Sequence, residues 1–242
     1  MRAWVGLLRH GQSTGNVARE EAEAAGHEVI DIPERDADVP LTDLGGQQAR
    51  ATGTWLAEHP PRLVVSSPYV RAVDTARLAL AEAARLGANV PAEPLVDERL
   101  RDRELGVLDL LTSHGVRERW PDELRRKRRH GKFYYRPPGG ESWADVVLRI
   151  RSLLGELQRD DGPLLLVGHE MAVFALRYVL EGVPEPELLD IAARTVVPNG
   201  SITGWAHDGH AHYRLETEQD TTHLRYAATP PTEDSDAAVS LP

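Results

Sequence analysis

The chain has 242 residues, of which 41% are hydrophobic and 27% are charged, a composition typical of one large globular domain or of a domain with an insertion. Its formal net charge of −10 and its sequence pI of about 5.5 argue against nucleic acid or an anionic membrane surface as a partner. The absence of cysteine excludes disulfide bonds, thiolate catalysis and cysteine-based zinc sites.

The apolar run at the N-terminus, AWVGLL (3–8), is predicted to be a buried strand. It is too short for the apolar region of a signal peptide, and no apolar run reaches the roughly 18 residues that a membrane span needs. We therefore expect a cytoplasmic protein without a membrane segment.

Two later segments, RLVVSS (62–67) and PLLLVG (163–168), repeat this pattern of a continuous apolar run that ends in small or polar residues. Such runs are typical of parallel strands that are covered on both faces. The segments with helical spacing are 41–59, 68–87, 141–160 and 170–182. Strands and helices thus alternate, which predicts an α/β fold with a largely parallel central sheet and helices on both faces.

The remaining segments complete the domain. Residues 98–140 interrupt the alternation and are predicted to be an insertion over one end of the sheet. Residues 201–218 read as a hairpin that turns at Asp208-Gly209. The segment 228–242 is rich in Pro, Ser, Asp and Ala, which predicts a disordered tail behind a domain that spans 1–227.

Polar residues that suit phosphate chemistry follow the three predicted parallel strands, at the edge of the sheet where ligands of open α/β folds bind. They are Arg9, His10, Gln12, Ser13 and Asn16 after the first strand, Ser66, Ser67 and Arg71 after the second, and Gly168, His169 and Glu170 after the third. Guanidinium groups match phosphate oxygens, and one imidazole could attack phosphorus while the other stabilises the transferred group, so no metal ion is needed. Each residue alone is weak evidence, since a histidine after a strand is usually structural. Their joint occurrence favours a phosphoryl-transfer site.

The motifs LLRHGQSTGN, SSPYVRAVDTA, GGESWADV, LLLVGHE and PNGSIT resemble those of the histidine phosphatase superfamily, the phosphoglycerate-mutase-like proteins. The resemblance runs from residue 5 to about residue 206 and is greatest to a phosphatase-type branch. It implies a phosphoglycerate-mutase-like fold without a cofactor, in which His10 becomes a phosphohistidine. It also implies that Arg9, Arg71 and His169 bind the phosphoryl group and that Asn16 contacts its oxygens. We expect Gln12 and Ser13 to contribute to the same substrate pocket.

The proton donor for the leaving group is less defined. Glu98, Asp102 and Glu104 are all candidates in the segment DERLRDRELG, and if this segment is extended they share one face. In the family the acid is typically a Glu four residues before a Gly, and counting back from Gly106 gives Asp102. An aspartate there is one methylene shorter and intrinsically more acidic, with an ordinary pKa of about 3.9 against about 4.3 for glutamate. Asp102 is the first candidate, and Glu104 is the alternative.

The insertion contains the basic run LRRKRRHGK (124–132). One interpretation is an anion funnel in which Lys132 and Arg136 select a small phosphorylated metabolite with a second negative charge. The other is a solvent-exposed helix face, which the density of charge favours for most of the run. His210 and His212 would share one face of the hairpin, but no acidic or cysteine partner lies at ligand spacing, so no metal site is predicted.

Three functions are compatible with these residues: a metal-independent phosphomonoesterase that acts through His10, a cofactor-dependent phosphoglycerate mutase, and a pseudoenzyme that binds phosphorylated ligands. Mutases of that kind usually carry Trp between the Ser and Asn of the first motif and an F-T-G-W stretch soon after. This chain has Gly15 there and lacks that stretch, which favours the phosphatase. The pseudoenzyme is supported only by the aspartate at the position of the acid.

Overall fold

The structure is a computed structural model that describes residues 3–157, 162–209 and 213–233. These residues contain a six-stranded sheet in the order β3-β2-β4-β1-β5-β6. The strands are β1 (Trp4–Arg9), β2 (Leu63–Ser66), β3 (Leu95–Val96), β4 (Leu164–Gly168), β5 (Ile202–His207) and β6 (Tyr213–Asp220). Strands β3, β2, β4 and β1 are parallel, whereas β5 and β6 are antiparallel to their neighbours. The predicted α/β class with a largely parallel sheet is confirmed.

The helices lie between and after these strands. They are α1 (Thr14–Ala25), α2 (Asp43–Glu58), α3 (Val70–Arg85), α4 (Ser113–Arg119), α5 (Pro121–His130), α6 (Trp143–Leu157), α7 (Glu170–Leu176), α8 (Glu185–Arg194) and α9 (Thr222–Tyr226). A π-helical turn, Arg177–Glu181, continues α7, and 3₁₀ turns occur at Asp36–Asp38, Glu98–Leu100 and Gly106–Leu108. The four predicted helices are present as α2, α3, α6 and α7. The other helices were not predicted because they bury few apolar residues and so show no clear apolar spacing in the sequence. In α5, for example, the one buried residue is Glu123.

Both faces of the sheet are covered because its central strands are continuously apolar up to their carboxyl ends, where β1 ends in Arg9 and β2 in Ser66. On β4, Leu164 and Leu166 pack with α6 and α7 in one core, while Leu165 and Val167 pack with α2 and α3 in the other. Successive side chains of a strand point to opposite faces, so a continuous apolar run supplies both cores at once. The site residues are therefore confined to the strand ends.

The insertion has a small core of its own, formed by Leu108, Leu111, Val116 and Tyr135. It is joined to the segment after α1 by a bridge between Val29 and Leu111. Within it, residues 98–104 are not an extended strand, because Glu98–Leu100 form a 3₁₀ turn. The expectation that the three acids share one face therefore does not hold, and Glu98 is exposed.

The first residues of the predicted tail are folded against the domain. The side chain of Gln48 donates to the carbonyl of Pro230 over 2.9 Å, and the amide of Asn199 donates to the carbonyl of Thr232 over 2.9 Å. The expectation of disorder is thus wrong for residues 228–233, since their backbone and Thr232 satisfy buried polar groups of the domain. Residues 234–242 lie outside the described part of the chain.

The predicted hairpin is present as β5 and β6, with Gly209 in the left-handed region at φ 84°. His210 and His212 lie outside the described residues. None of the helices in the described ranges is long and apolar enough to cross a membrane.

We expect His223, on α9, to make the fold less stable in mild acid. Its Nε2 donates to the carbonyl of Gly200 over 3.0 Å, and burial lowers the pKa of the ring below its ordinary value of 6.5, with a smaller opposing effect from Asp220. Since the unfolded chain then takes up the proton first, the free energy of unfolding falls as the pH drops through 6.5 towards the lower folded pKa. Urea unfolding in neutral and mildly acidic buffer should show a smaller loss for His223→Gln, which keeps a donor but does not titrate. Equal losses in both proteins would contradict this role.

Candidate active site

His10 lies directly beyond the carboxyl end of β1 and is fully buried. Its Nδ1 is 2.7 Å from the carbonyl oxygen of Gly11. Because a carbonyl oxygen only accepts hydrogen bonds, Nδ1 carries the proton, and in the neutral ring the lone pair is on Nε2. His10 is thus held in the tautomer that nucleophilic attack through Nε2 requires.

A turn before β5 fixes the backbone on both sides of His10. The side-chain amide of Asn199 donates to the carbonyl of His10 over 3.1 Å, and the backbone amide of Gly200 donates to the carbonyls of Arg9 and His10 over 3.1 and 3.2 Å. Gly200 has φ 71°, a conformation that favours glycine. In the sequence, this Pro-Asn-Gly segment was noted only as part of the family resemblance. The contact of Asn199 with the backbone of His10 was not predicted.

Arg9 and the start of α1 form one side of the site. Arg9 is fully buried and donates through Nη1 to the carbonyl of Val197. Ser13 caps α1 by accepting from the amide of Asn16 over 3.2 Å, and Asn16 Oδ1 accepts from the amide of Ser13 over 2.9 Å. With Oδ1 engaged, the donor that Asn16 can offer a phosphate oxygen is Nδ2.

Arg71 is buried in the first turn of α3 and contacts two carboxylates. Its Nη1 is 3.0 Å from Asp36 Oδ1, and its Nη2 is 3.4 Å from Asp102 Oδ2. Its guanidinium carbon lies 4.9 Å from the centre of the Tyr69 ring. A buried cation is thus compensated by charges that come from two separate loops. Sequence reasoning named Arg71 and Asp102 but not Asp36.

His169 follows β4 and caps the start of α7. Its ring centre lies 5.1 Å from that of His10. Its Nε2 is 2.8 Å from Ser67 Oγ, which also accepts from the amide of Tyr69. Its Nδ1 lies 3.3 Å from Asp102 Oδ2, and because a carboxylate only accepts hydrogen bonds, Nδ1 carries a proton when Asp102 is ionised. Asp102 and Ser67 thus contact the two ring nitrogens of His169.

The two remaining candidate acids differ in burial. The Asp102 side chain is 12% exposed and contacts His169 and Arg71, while the Glu104 side chain is 50% exposed. Glu104 accepts from the Tyr69 hydroxyl over 3.1 Å. Burial and the charges of Asp102, Asp36 and Glu104 raise the pKa of Tyr69, so its hydroxyl stays protonated and can donate. Asp102 is the acid nearer to the histidine pair.

A cavity of about 60 Å³ is lined by Arg71 and by Asp102, which contacts His169, whereas Arg9, His10 and His169 themselves do not line it. Its lining is rich in charge and includes Ser13, Asn16, Arg19, Asp36, Arg71, Asp102, Arg103, Glu104 and Asp109, with apolar walls from Ile30, Ile32, Val39, Trp143 and Met171. Burial, followed by the charge of Asp36, raises the pKa of Asp109. In the described part of the chain, no group of three or more His, Asp or Glu side chains is arranged to hold a metal ion.

Three predicted substrate-binding residues do not line this cavity. The Gln12 amide oxygen accepts from the Thr42 hydroxyl over 2.8 Å. The Arg136 guanidinium forms paired hydrogen bonds with Asp145, and its side chain is 63% exposed. Lys132 lies behind the cavity wall, with Nζ 5.1 Å from the ring centre of Trp143.

The geometry agrees with three comparisons with known proteins. Residues 5–220 match the model of the histidine phosphatase superfamily (branch 1). The chain is 35% identical over 194 residues to a glucosyl-3-phosphoglycerate phosphatase of Mycolicibacterium vanbaalenii, with 74% of each chain covered. It is 30% identical over 199 residues to a 2,3-bisphosphoglycerate-dependent phosphoglycerate mutase of Methylorubrum populi, with 79% of this chain and 85% of the relative covered.

Solved structures give the same result. A mycobacterial glucosyl-3-phosphoglycerate phosphatase in complex with VO3 matches with a TM-score of 0.70 and 29% identity, covering 90% of this chain and 100% of that one. The complex of such an enzyme with inorganic phosphate matches with a TM-score of 0.69 and 27% identity over 91% and 99% of the two chains. Since the family model, the relatives and the fold agree, the chain belongs to the histidine phosphatase superfamily, branch 1.

Proposed function

We propose that this protein is a cytoplasmic, metal-independent phosphomonoesterase that acts through a phosphohistidine on His10. The observation that carries the proposal is the buried pair of His10 and His169, whose ring centres are 5.1 Å apart, at the sheet edge that also holds Arg9 and Arg71. Two buried arginines supply the positive charge that a phosphoryl group in transfer needs, and the second imidazole lies beside the nucleophile. The site thus combines a nucleophile with preorganised stabilisation of the transferred group.

In the proposed first step, His10 Nε2 attacks phosphorus while the bond from phosphorus to the ester oxygen breaks. The ester oxygen takes a proton from Asp102 and leaves as an alcohol. In the second step, water attacks the phosphohistidine, the bond from phosphorus to nitrogen breaks, and the Asp102 carboxylate takes the proton of the water. Inorganic phosphate leaves, and His10 and Asp102 return to their starting states.

Asp102 is the preferred acid because of its contacts. Its Oδ2 lies within 3.3 Å of His169 Nδ1, and its Oδ1 accepts from the amide of Arg103 over 2.8 Å, so the carboxyl is fixed between the histidine and the cavity. Glu104 is more exposed and is engaged by Tyr69. The charge of a bound phosphate ester near Asp102 favours the protonated carboxyl, as a general acid requires.

We further propose that the substrate is a small phosphorylated metabolite with a second negative charge. Lys132 is held at the back of the wall formed by Trp143, and burial followed by the charge of Arg103 lowers its pKa. Burial and the charges of Lys132 and Arg103 lower the pKa of Lys127 to about 8. Arg103 lines the cavity, and the positive charge that it shares with the neighbouring Lys132 and Lys127 favours an anion there. The phosphatase relatives, whose name includes a phosphoglycerate, are compatible with a substrate of this type.

The nucleophile is tested by His10→Ala. We expect phosphate release from an aryl phosphate, in the presence of a chelator, to fall by more than about 10³-fold, because no other group forms the covalent intermediate. Mass spectrometry of alkali-quenched wild type should find a phosphoryl group on the peptide that contains His10. The exposed His130, changed to Ala, is the matched control. Phosphate release that persists in His10→Ala would remove His10 from this role, and isomerisation without release would favour the mutase.

The proton donor is tested by Asp102→Asn with two leaving groups. An alkyl alcohol needs protonation as it leaves, whereas a nitrophenolate does not, so kcat/KM should fall by about 10²-fold or more for the alkyl ester and far less for the aryl ester. Glu104→Gln should keep the wild-type ratio of the two values. A selective loss for the alkyl ester in Glu104→Gln instead would assign the acid to Glu104.

The second-anion subsite is tested by Lys132→Ala. With 3-phosphoglycerate as the probe we expect KM to rise by about tenfold, since a favourable positive charge near the cavity, worth about 1.4 kcal/mol, is lost. The KM for an alkyl phosphate whose alkyl group carries no charge should change little. Arg136→Ala is the matched control, because Arg136 is bound to Asp145 and lies off the cavity. Equal effects of the two variants, or equal effects on the two esters, would refute the subsite.

A further inference from the structure

The proposed acid lies on a segment that has no regular secondary structure. Residues 101–105 join the 3₁₀ turn Glu98–Leu100 to the 3₁₀ turn Gly106–Leu108, and no strand or helix fixes them. A general acid must nevertheless be held within a fraction of an ångström of the leaving oxygen. Other groups must therefore fix this segment.

Two side chains, Arg149 and Glu141, form hydrogen bonds with the backbone of this segment. Arg149, on the second turn of α6, donates through Nη1 to the carbonyl of Arg99 over 2.6 Å and through Nη2 to the carbonyl of Asp102 over 3.1 Å. Glu141 Oε2 accepts from the amide of Glu104 over 3.2 Å. The two residues thus bind the chain before, at and after Asp102.

Arg149 and Glu141 also bind each other. Arg149 Nε is 3.0 Å from Glu141 Oε1, and Nη2 is 3.1 Å from Oε2, which is a two-pronged pairing of guanidinium and carboxylate. Their side chains are 10% and 12% exposed. Arg101 adds a bond to Glu141 over 2.5 Å, and the amide of Glu141 donates to the carbonyl of Glu104 over 2.8 Å. The two side chains thus form a hydrogen-bonded network that is attached to helix α6 through Arg149.

Neither residue lines the cavity, and their hydrogen bonds go to the segment that carries Asp102 and to each other. We propose that Arg149 and Glu141 are positioning residues: as an ion pair they hold the backbone at Asp102 and thereby set the position of its carboxyl at the leaving group. This inference rests on the proposed function, since it assigns a role toward the acid of that reaction.

The geometry specifies which substitution is informative. A lysine at 149 keeps the charge but lacks the planar fork that joins two backbone carbonyls and a carboxylate. Removal of either partner leaves a buried charge without compensation and endangers folding. Arg149→Lys and Glu141→Asp therefore disturb position while they keep both charges.

The experiment measures kcat/KM for an alkyl and an aryl phosphate in Arg149→Lys, Glu141→Asp and the control Arg151→Lys, which changes an exposed arginine on the same helix. This parameter reports steps up to phosphoryl transfer to His10 and is independent of the hydrolysis of the phosphoenzyme. We expect about 10- to 100-fold loss for the alkyl ester and less than about threefold loss for the aryl ester in the first two variants. Circular dichroism and thermal unfolding establish that each variant is folded.

Combination with Asp102→Asn provides a second readout. If Arg149 acts through Asp102, Arg149→Lys should cost nothing further for the alkyl ester once the proton donor is gone, so the two effects should not add. Equal losses for both esters, or additive losses in the double variant, would overturn the proposal. If Glu141→Asp is folded while Arg149→Lys is not, the same criteria apply to Glu141→Asp alone.

Failure of this inference differs from failure of the proposed function. If wild type releases no phosphate from either ester, the phosphatase function itself is refuted. If Asp102→Asn shows no selective loss for the alkyl ester, the acid has been misassigned and the positioning role falls with it. If Asp102→Asn behaves as expected and Arg149→Lys and Glu141→Asp do not, only the positioning role is refuted.

Discussion

The site depends on the parallel pairing of β1 with β4. In this register Arg9 lies opposite Gly168, so His10 and His169 both follow directly beyond the last pair of the ladder. The amide of His10 donates to the carbonyl of Gly168 over 2.9 Å, which extends the ladder to the first residue of the site. A slip of one residue would exchange the two faces of β1, so that Leu7 would leave the core on the α6 and α7 side and Leu8 the core on the α2 and α3 side. The packing of both cores therefore fixes the spacing of the two histidines.

Buried charge is the second constraint. Arg9 and Arg71 lie out of contact with solvent, and a buried cation is tolerated only with strong partners. Arg9 donates to the carbonyl of Val197, while Arg71 pairs with the carboxylates of Asp36 and Asp102. Asp36 lies in the segment after α1, and Asp102 lies in the insertion. The cations of the site thus also fix the irregular segments around it.

The sequence predicted the parts of the molecule that rest on local pattern. Continuous apolar runs located β1, β2 and β4, and the polar residues after them located His10, Arg71 and His169. It did not predict Asp36 or Arg149, because their partners are distant in the chain and ordinary ion pairs have no local signature. For a related reason the sequence did not predict the partner of Arg136. Its charge suits a substrate, but in the structure it pairs with Asp145 on α6. The order of residues 228–233 was missed because their composition is polar, although the domain offers them buried acceptors and donors.

The contact of Arg71 with two carboxylates has a consequence for ligand entry. In the proposed reaction, a phosphate ester that binds Arg71 would compete with Asp36 and Asp102 for the same guanidinium. The two carboxylates carry two negative charges, and a phosphomonoester carries close to two once the pH exceeds its second pKa of about 6. A singly charged anion, such as chloride or a carboxylate, would offer Arg71 one negative charge fewer than the two carboxylates do. Under the proposed function the site would therefore favour dianions, and this preference would weaken in mild acid as the ester takes up a proton.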